Sequence, residues 1–170
     1  HNVKVVKCPH AKVENNTCAY CGVTGIVATI GDTAYTEIGA AVTAWFDKGG
    51  TLTLHADAGE KVITSFSSAS GKNLVIDLNG HCINDDNDKY PTPPLLNGAN
   101  LTIRDSKPND SEQGAFGPIV ANSGSLTLES GYIKGLNVQS TDTATIHLRG
   151  GKVKAGEWCF KPIYALLDDG

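Results

Sequence analysis

Four side chains with metal-binding atoms occur close together near the start of the chain. Cys8, His10, Cys18 and Cys21 form the pattern C-x-H-x7-C-x2-C. A Cys-x-x-Cys pair can hold a tetrahedral Zn²⁺ from one side, and Cys8 with His10 could complete the coordination. Three thiolates and one imidazole are ligands that suit zinc. We therefore predict a structural zinc site, which four protein ligands would close to any substrate.

Two other uses of these cysteines have to be weighed. A thioredoxin-like redox motif requires a helix after the Cys-x-x-Cys pair, and the sequence Val23-Thr-Gly-Ile26 does not favour one. A disulfide would suit a secreted protein, but the chain has five cysteines, an odd number that includes Cys82 and Cys159. Zinc is the favoured interpretation and a disulfide is the alternative. Zinc would also stabilise a module of about 25 residues, which is too small for a core of its own.

The rest of the chain contains five segments in which apolar and polar residues alternate. Their first apolar residues are 24, 25, 25 and 20 positions apart, at Leu52, Ile76, Leu101, Leu126 and Ile146. Alternation with period two predicts strands that have one buried face. One short repeat cannot bury this face alone, whereas stacked repeats share a continuous core. We predict an all-β protein, a right-handed parallel β-helix of about five coils, with a β-sandwich as the alternative.

A solenoid needs a cover over its open end, and residues 34–50 are suited to that role. Thr36 is a candidate N-cap and Gly49 a candidate stop for a helix between them. Its apolar residues recur at helical spacing, at Ile38, Ala41, Val42 and Trp45. We therefore predict an N-terminal capping helix. The domain organisation that follows is a zinc-knuckle module over residues 1–27 and a capped β-helix over residues 28–170, which we expect to continue beyond this segment.

The stacked repeats also predict columns of outward side chains, about 4.8 Å apart. One column would contain Thr53, Asp77, Thr102, Thr127 and His147. The neighbouring column would contain His55 and Asn79 and then a charge ladder of Arg104, Glu129 and Arg149. The ladder could hold a carboxylated or sulfated sugar through bidentate arginine contacts, or its charges could simply stabilise the coil surface. The predicted ligand-binding residues are Asp77, Arg104, Glu129, His147 and Arg149.

Several of these segments resemble those of a known class of domains. They are TEIGAAVTAWFDKGGTLTLHAD, LVIDLNGHCI, LTIRDS and SLTLESGYI, within residues 28–170. They are similar to extracellular β-helix domains in large surface proteins of Gram-positive bacteria, streptococci and gut Firmicutes, within the pectin-lyase-like superfamily. The resemblance implies a β-helix fold and a location at the bacterial cell surface. It also implies a choice between binding and catalysis, because that superfamily includes lyases and glycosidases.

Composition and charge narrow the function further. The net charge is −4 and we find no basic patch, so we expect no nucleic-acid partner. The apolar runs are much shorter than the roughly 18–20 residues of a membrane span, so we expect no membrane insertion. No convincing pair of carboxylates has the spacing that glycoside hydrolysis requires. We predict a monomeric, non-catalytic extracellular adhesion module that contacts a glycan or a host or cell-wall glycoprotein; the alternatives are a carbohydrate-active enzyme and a structural spacer.

Overall fold

The computed structural model describes residues 8–59, 62–84, 93–107, 114–138 and 143–155. This part of the chain is mostly β-structure with a single α-helix, α1, which spans Ile38–Lys48. The strands before and just after the helix are β1 (Val13–Glu14), β2 (Thr17–Cys18), β3 (Ala28–Ile30), β4 (Thr33–Tyr35) and β5 (Gly50–Leu54). The others are β6 (Asn73–Asp77), β7 (Cys82–Ile83), β8 (Asn100–Arg104), β9 (Ala115–Phe116), β10 (Ile119–Val120), β11 (Ser125–Leu128), β12 (Tyr132–Asn137), β13 (Thr145–Leu148) and β14 (Lys152–Ala155).

The five segments of the sequence repeat are strands of one parallel sheet. The sheet has the order β13-β11-β8-β6-β5-β3-β4, and its members from β5 to β13 run parallel. Parallel neighbours cannot be joined by hairpins, so the chain completes a circuit between each strand and the next. Over the described residues the result is a β-solenoid of about four turns, compared with the predicted five coils. This confirms the predicted β-helix and excludes the β-sandwich.

Two further rows of short strands complete each turn. The second sheet has the order β10-β12-β9-β7, and β14 pairs with β12. Isolated parallel bridges from Ser65 to Leu95 and from Leu95 to Val120 extend the row that contains β10. The circuit therefore bends at polar corners between short straight segments, and this explains why the sequence repeat is rich in Gly, Asn and Ser.

The core is a stack of aliphatic side chains from successive turns. Leu52, Ile76, Ile103 and Leu128 occupy neighbouring positions in the register, and each side chain is fully buried. Burial of an aliphatic side chain of this size stabilises the fold by about 1.5–3 kcal/mol. Because each strand supplies such residues at alternate positions, every turn contributes a similar share to the core.

The capping helix is confirmed, with one correction. Glu37, not Thr36, is the N-cap residue, and no side chain caps the helix; it ends at Gly49, whose φ is 72°. Trp45 is completely buried; its indole N–H donates a 2.9 Å hydrogen bond to the backbone oxygen of Gly50. Its ring meets Phe66 edge-on, with ring centroids 6.4 Å apart. The helix therefore covers the first turn of the core, as predicted.

The register of the solenoid differs from the sequence alignment at one step. Thr53 pairs with Asp77 as predicted, and the last three strands of the repeat also keep the predicted register. Asp77, however, pairs with Arg104 and not with Thr102, because β6 is shifted by two residues against β8. A two-residue shift leaves every apolar side chain on the inner face. The alternation of apolar and polar residues therefore predicts the strands, but it cannot show that β6 and β8 are shifted by two residues relative to the alignment.

Two glycines provide a direct test of the coil geometry. A Cβ atom on Gly117 would overlap the backbone carbonyl of Asn84 on the neighbouring turn, whereas a Cβ atom on Gly39 in α1 would meet nothing within 4 Å. We expect Gly117→Ala to lower the free energy of unfolding by about 1–3 kcal/mol through overpacking. The control Gly39→Ala should raise it by up to about 1 kcal/mol through helix propensity. Urea unfolding followed by circular dichroism measures both, and equal effects of the two changes would contradict the described packing.

Candidate functional site

A tight hairpin positions Cys18, one of the four metal-binding residues. Strands β1 and β2 pair antiparallel, with Val13 opposite Cys18. Asn15 and Asn16 connect them with positive φ angles of 47° and 58°. Two consecutive residues with positive φ form the two-residue turn that suits a β-hairpin, and Asn tolerates this conformation well. The polar turn between the two halves of the cluster thus reverses the chain.

The four predicted ligands come together at one point. One ligand atom from each of Cys8, His10, Cys18 and Cys21 lies within 4.8 Å of all the others. The Sγ atoms of Cys8 and Cys18 are 3.6 Å apart, and the Sγ of Cys21 is 3.7 Å from Nδ1 of His10. Bonds of about 2.0–2.3 Å to a central ion would place tetrahedral ligands about 3.3–3.8 Å apart. Both of these distances fall in that range, and the four side chains are close enough together to hold a metal ion.

The same distances decide against the disulfide alternative. A sulfur–sulfur bond is about 2.05 Å long, much shorter than the 3.6 Å between Cys8 and Cys18. The cluster also lacks the redox arrangement, because the segment from Gly22 to Val27 is irregular and not helical. Of the other two cysteines, Cys82 lies in β7, and Cys159 lies outside the described residues.

The surroundings of Cys18 favour the thiolate form that binds metal ions. Desolvation by burial acts to raise the pKa of this thiol, but the backbone N–H groups of Cys21 and Tyr20 act against it. Together with the side chains of Cys21 and Cys8, they lower the pKa of Cys18 to about 6. For Cys8 the balance is reversed: the backbone of His10 lowers its pKa, but burial and the other two thiols raise it above its ordinary value. Cys18 therefore ionises at lower pH than Cys8.

The predicted ligand-binding residues lie in strands of the large parallel sheet or directly after them, and Asp77 has a structural role there. Its side chain is buried, and its Oδ2 lies 3.2 Å from Nε of Arg104. Its Oδ1 accepts hydrogen bonds from the backbone N–H groups of Asn79 and Ser106, at 3.1 and 3.0 Å. The carboxylate therefore holds a corner of the solenoid and fixes Arg104 to the preceding turn.

The other four predicted residues lie nearer to solvent. The backbone N–H of Glu129 bonds to Ile103, and that of Arg149 bonds to Leu128, so Arg104, Glu129 and Arg149 follow one another along the sheet. Within the described part of the chain, no ion pair joins Glu129 to either arginine, so the predicted ladder is a row of neighbours without direct salt bridges. His147 is half-buried on β13, beside Thr127.

A second carboxylate, that of Asp105, also holds a corner of the solenoid, a role that the sequence-based predictions do not include. Asp105 is buried and accepts hydrogen bonds from the backbone N–H groups of Gly80 and Gly114, both at 2.7 Å, and from Lys107 at 3.3 Å. The sequence carries a weak signal for this role, an Asp directly after a strand. Like Asp77, Asp105 has its oxygens bound by the fold.

Comparison with protein-family models, with curated proteins and with solved structures finds no match for this chain. No helix in the described part of the chain is long and apolar enough to cross a membrane.

The metal site predicts a specific loss of binding on substitution. Native mass spectrometry should detect one divalent ion per chain in the unaltered protein and none in Cys18→Ser, because three ligands hold an ion much less tightly than four. Cys82→Ser is the matched control and should retain the ion, since Cys82 is not part of the cluster. Circular dichroism of Cys18→Ser should still show the β-structure of the solenoid, whose core does not include Cys18. Metal retention by Cys18→Ser would contradict the assignment.

Proposed function

We propose that the ion held by Cys8, His10, Cys18 and Cys21 is structural zinc. The donor set carries the proposal, because three sulfurs and one nitrogen within 4.8 Å of one another suit zinc better than the oxygen-preferring cations. With four protein ligands the ion has no open position for a substrate or a reactive water. Its role is then to hold a hairpin of two-residue strands that has little core of its own.

Elemental analysis of protein purified without added metal tests the identity of the ion. We expect close to one zinc per chain and no stoichiometric iron or copper. Cobalt(II) added after removal of zinc should give the absorption bands of a tetrahedral thiolate complex, and these bands should disappear when zinc is returned. Iron at full stoichiometry in the native protein would contradict the proposal.

We propose further that the solenoid is a non-catalytic binding module of a larger extracellular protein. The observation that carries this proposal is the row of Arg104, Glu129 and Arg149, which succeed one another on the outer face of the parallel sheet. Such a row offers several polar contacts to an extended ligand that lies across the turns. The buried carboxylates Asp77 and Asp105 already accept hydrogen bonds from the backbone, which favours binding over acid–base chemistry on this face.

The class of ligand follows from the chemistry of this row and from the resemblance noted for residues 28–170. The row has one arginine on each side of a glutamate. Its two arginines favour a glycan or glycoprotein that carries carboxylate or sulfate groups. The resemblance to extracellular β-helix domains of Gram-positive bacteria supports a place on the bacterial cell surface. In that setting the ligand would be a host or cell-wall glycan, and the module would act as an adhesin, as a monomer.

A glycan array with a matched pair of variants tests the binding face. Arg149 is the better residue to change, because loss of Arg104 would leave the buried carboxylate of Asp77 without its cation. We expect Arg149→Ala to weaken binding to an acidic glycan about tenfold or more, the effect of losing a charged hydrogen bond. Lys48→Ala, at the exposed end of α1, should bind like the unaltered protein.

Two outcomes would replace this proposal by its alternatives. Unsaturated products that absorb in the ultraviolet, formed from an acidic polysaccharide, would identify a lyase. Absence of both binding and turnover over the whole array would leave a structural spacer.

A further inference from the structure

A cleft opens where the metal-binding module meets the first turns of the solenoid. One wall is the β1–β2 hairpin, with Glu14, Asn15 and Asn16, and the opposite wall is a corner of the coils. The volume of the cleft is about 430 Å³, which lies within the roughly 300–1,000 Å³ range of small-molecule sites. This is space for a molecule the size of one or two sugar rings, and it lies apart from the row of Arg104, Glu129 and Arg149.

Three basic side chains from three successive turns line the coil side of the cleft: His55, His81 and Lys107. Lys107 is exposed, and among the described residues no carboxylate lies within salt-bridge distance of its Nζ. His55 is half-buried, and this burial is the largest cause that lowers its pKa. The nearby positive charges of His81 and Lys107 lower it further, while the negative charge of Asp77 acts to raise it. Positive charge on His81 and on Lys107 therefore acts against a positive charge on His55.

The histidines are held in place and keep one ring nitrogen each for a ligand. Nε2 of His55 is 3.0 Å from Oγ1 of Thr29, and Nδ1 of His81 is 3.3 Å from Oδ1 of Asp57. In the described part of the chain, Nδ1 of His55 and Nε2 of His81 have no hydrogen-bond partner. Amide side chains of Asn79 and of the hairpin turn add neutral donors around them.

The acidic groups near the cleft are already engaged. Glu14 forms a 3.0 Å ion pair with Lys12, and Asp57 accepts a 2.9 Å hydrogen bond from the backbone N–H of Cys82 besides its contact with His81. Asp77 is buried behind the cleft and paired with Arg104. Each of these carboxylates therefore already has a partner, whereas the cleft is lined by three basic side chains.

We propose that this cleft is a second binding site, specific for a small organic anion whose carboxylate or sulfate group contacts Lys107, His55 and His81. The hydroxyl groups of a sugar ring would face the amides of Asn15, Asn16 and Asn79. This site is independent of the proposed glycan-binding row, because it uses none of the residues of that row. An anion beside these groups offsets the positive charges that oppose protonation of His55, so affinity increases as the pH falls.

Isothermal titration calorimetry with small probes tests the site on the metal-loaded protein. The probes are glucuronate for the carboxylate, galactose 6-sulfate for the sulfate and glucose as the uncharged control. We expect one equivalent of at least one of the acidic sugars to bind and glucose not to bind. Lys107→Gln should weaken that binding about tenfold or more, because it removes a charged hydrogen bond. Lys48→Gln, on α1, should have no effect.

Each result bears on a separate part of the proposal. Preference for glucuronate or for galactose 6-sulfate identifies which anionic group the cleft accepts, and competition by inorganic sulfate supports recognition of the anion itself. Affinity for the acidic sugar should be higher at pH 6.0 than at pH 8.0. Failure of both acidic sugars to bind, equal binding of glucose, an unchanged affinity in Lys107→Gln or an affinity independent of pH would overturn the site. Retention of anion binding in Arg149→Ala separates this cleft from the glycan-binding row.

Discussion

Each turn of the solenoid is stable only because a neighbouring turn covers it. A single turn consists of a few short strands that carry a few aliphatic side chains. One turn alone cannot shield these side chains from water. Once turns stack, backbone hydrogen bonds connect them and side chains such as Leu52, Ile76 and Ile103 form one continuous core. All other features of the molecule depend on this stacking, since it sets which polar side chains become neighbours on the outside.

The same constraint explains the polar corners. A chain that bends several times per turn exposes backbone N–H groups that no strand can pair, and buried groups of this kind must find acceptors. Asp105 accepts three of them, and Asn84 accepts hydrogen bonds from the backbone N–H groups of Val62 and Ile63, both at 3.0 Å. Asn97 and Asn122 also bond to each other between adjacent turns. These acidic and amide side chains thus stabilise the corners of the fold.

The capping helix and the N-terminal hairpin are stabilised by different interactions. The helix α1, with the buried Trp45, covers the first turn of the coils. Burial of apolar surface therefore stabilises this part of the molecule. The segment before it is a hairpin of two-residue strands beside four side chains that could hold a metal ion, and such an ion would substitute for the missing core. Where the two parts meet they leave the cleft of His55, His81 and Lys107. The hairpin is thereby both a small stabilised module and one wall of a candidate site.

The sequence by itself determined the features that depend on local pattern. The alternation of apolar residues predicted the five strands, their helical spacing predicted α1, and the C-x-H-x7-C-x2-C pattern predicted the metal cluster. Only the tertiary structure decided how these parts meet. The two-residue shift that pairs Asp77 with Arg104 preserves the alternation, so hydrophobic pattern carries no information about it. The cleft likewise joins Asn16 to Lys107 across 91 positions of the sequence, a proximity that depends on the coil register and on the seating of the hairpin.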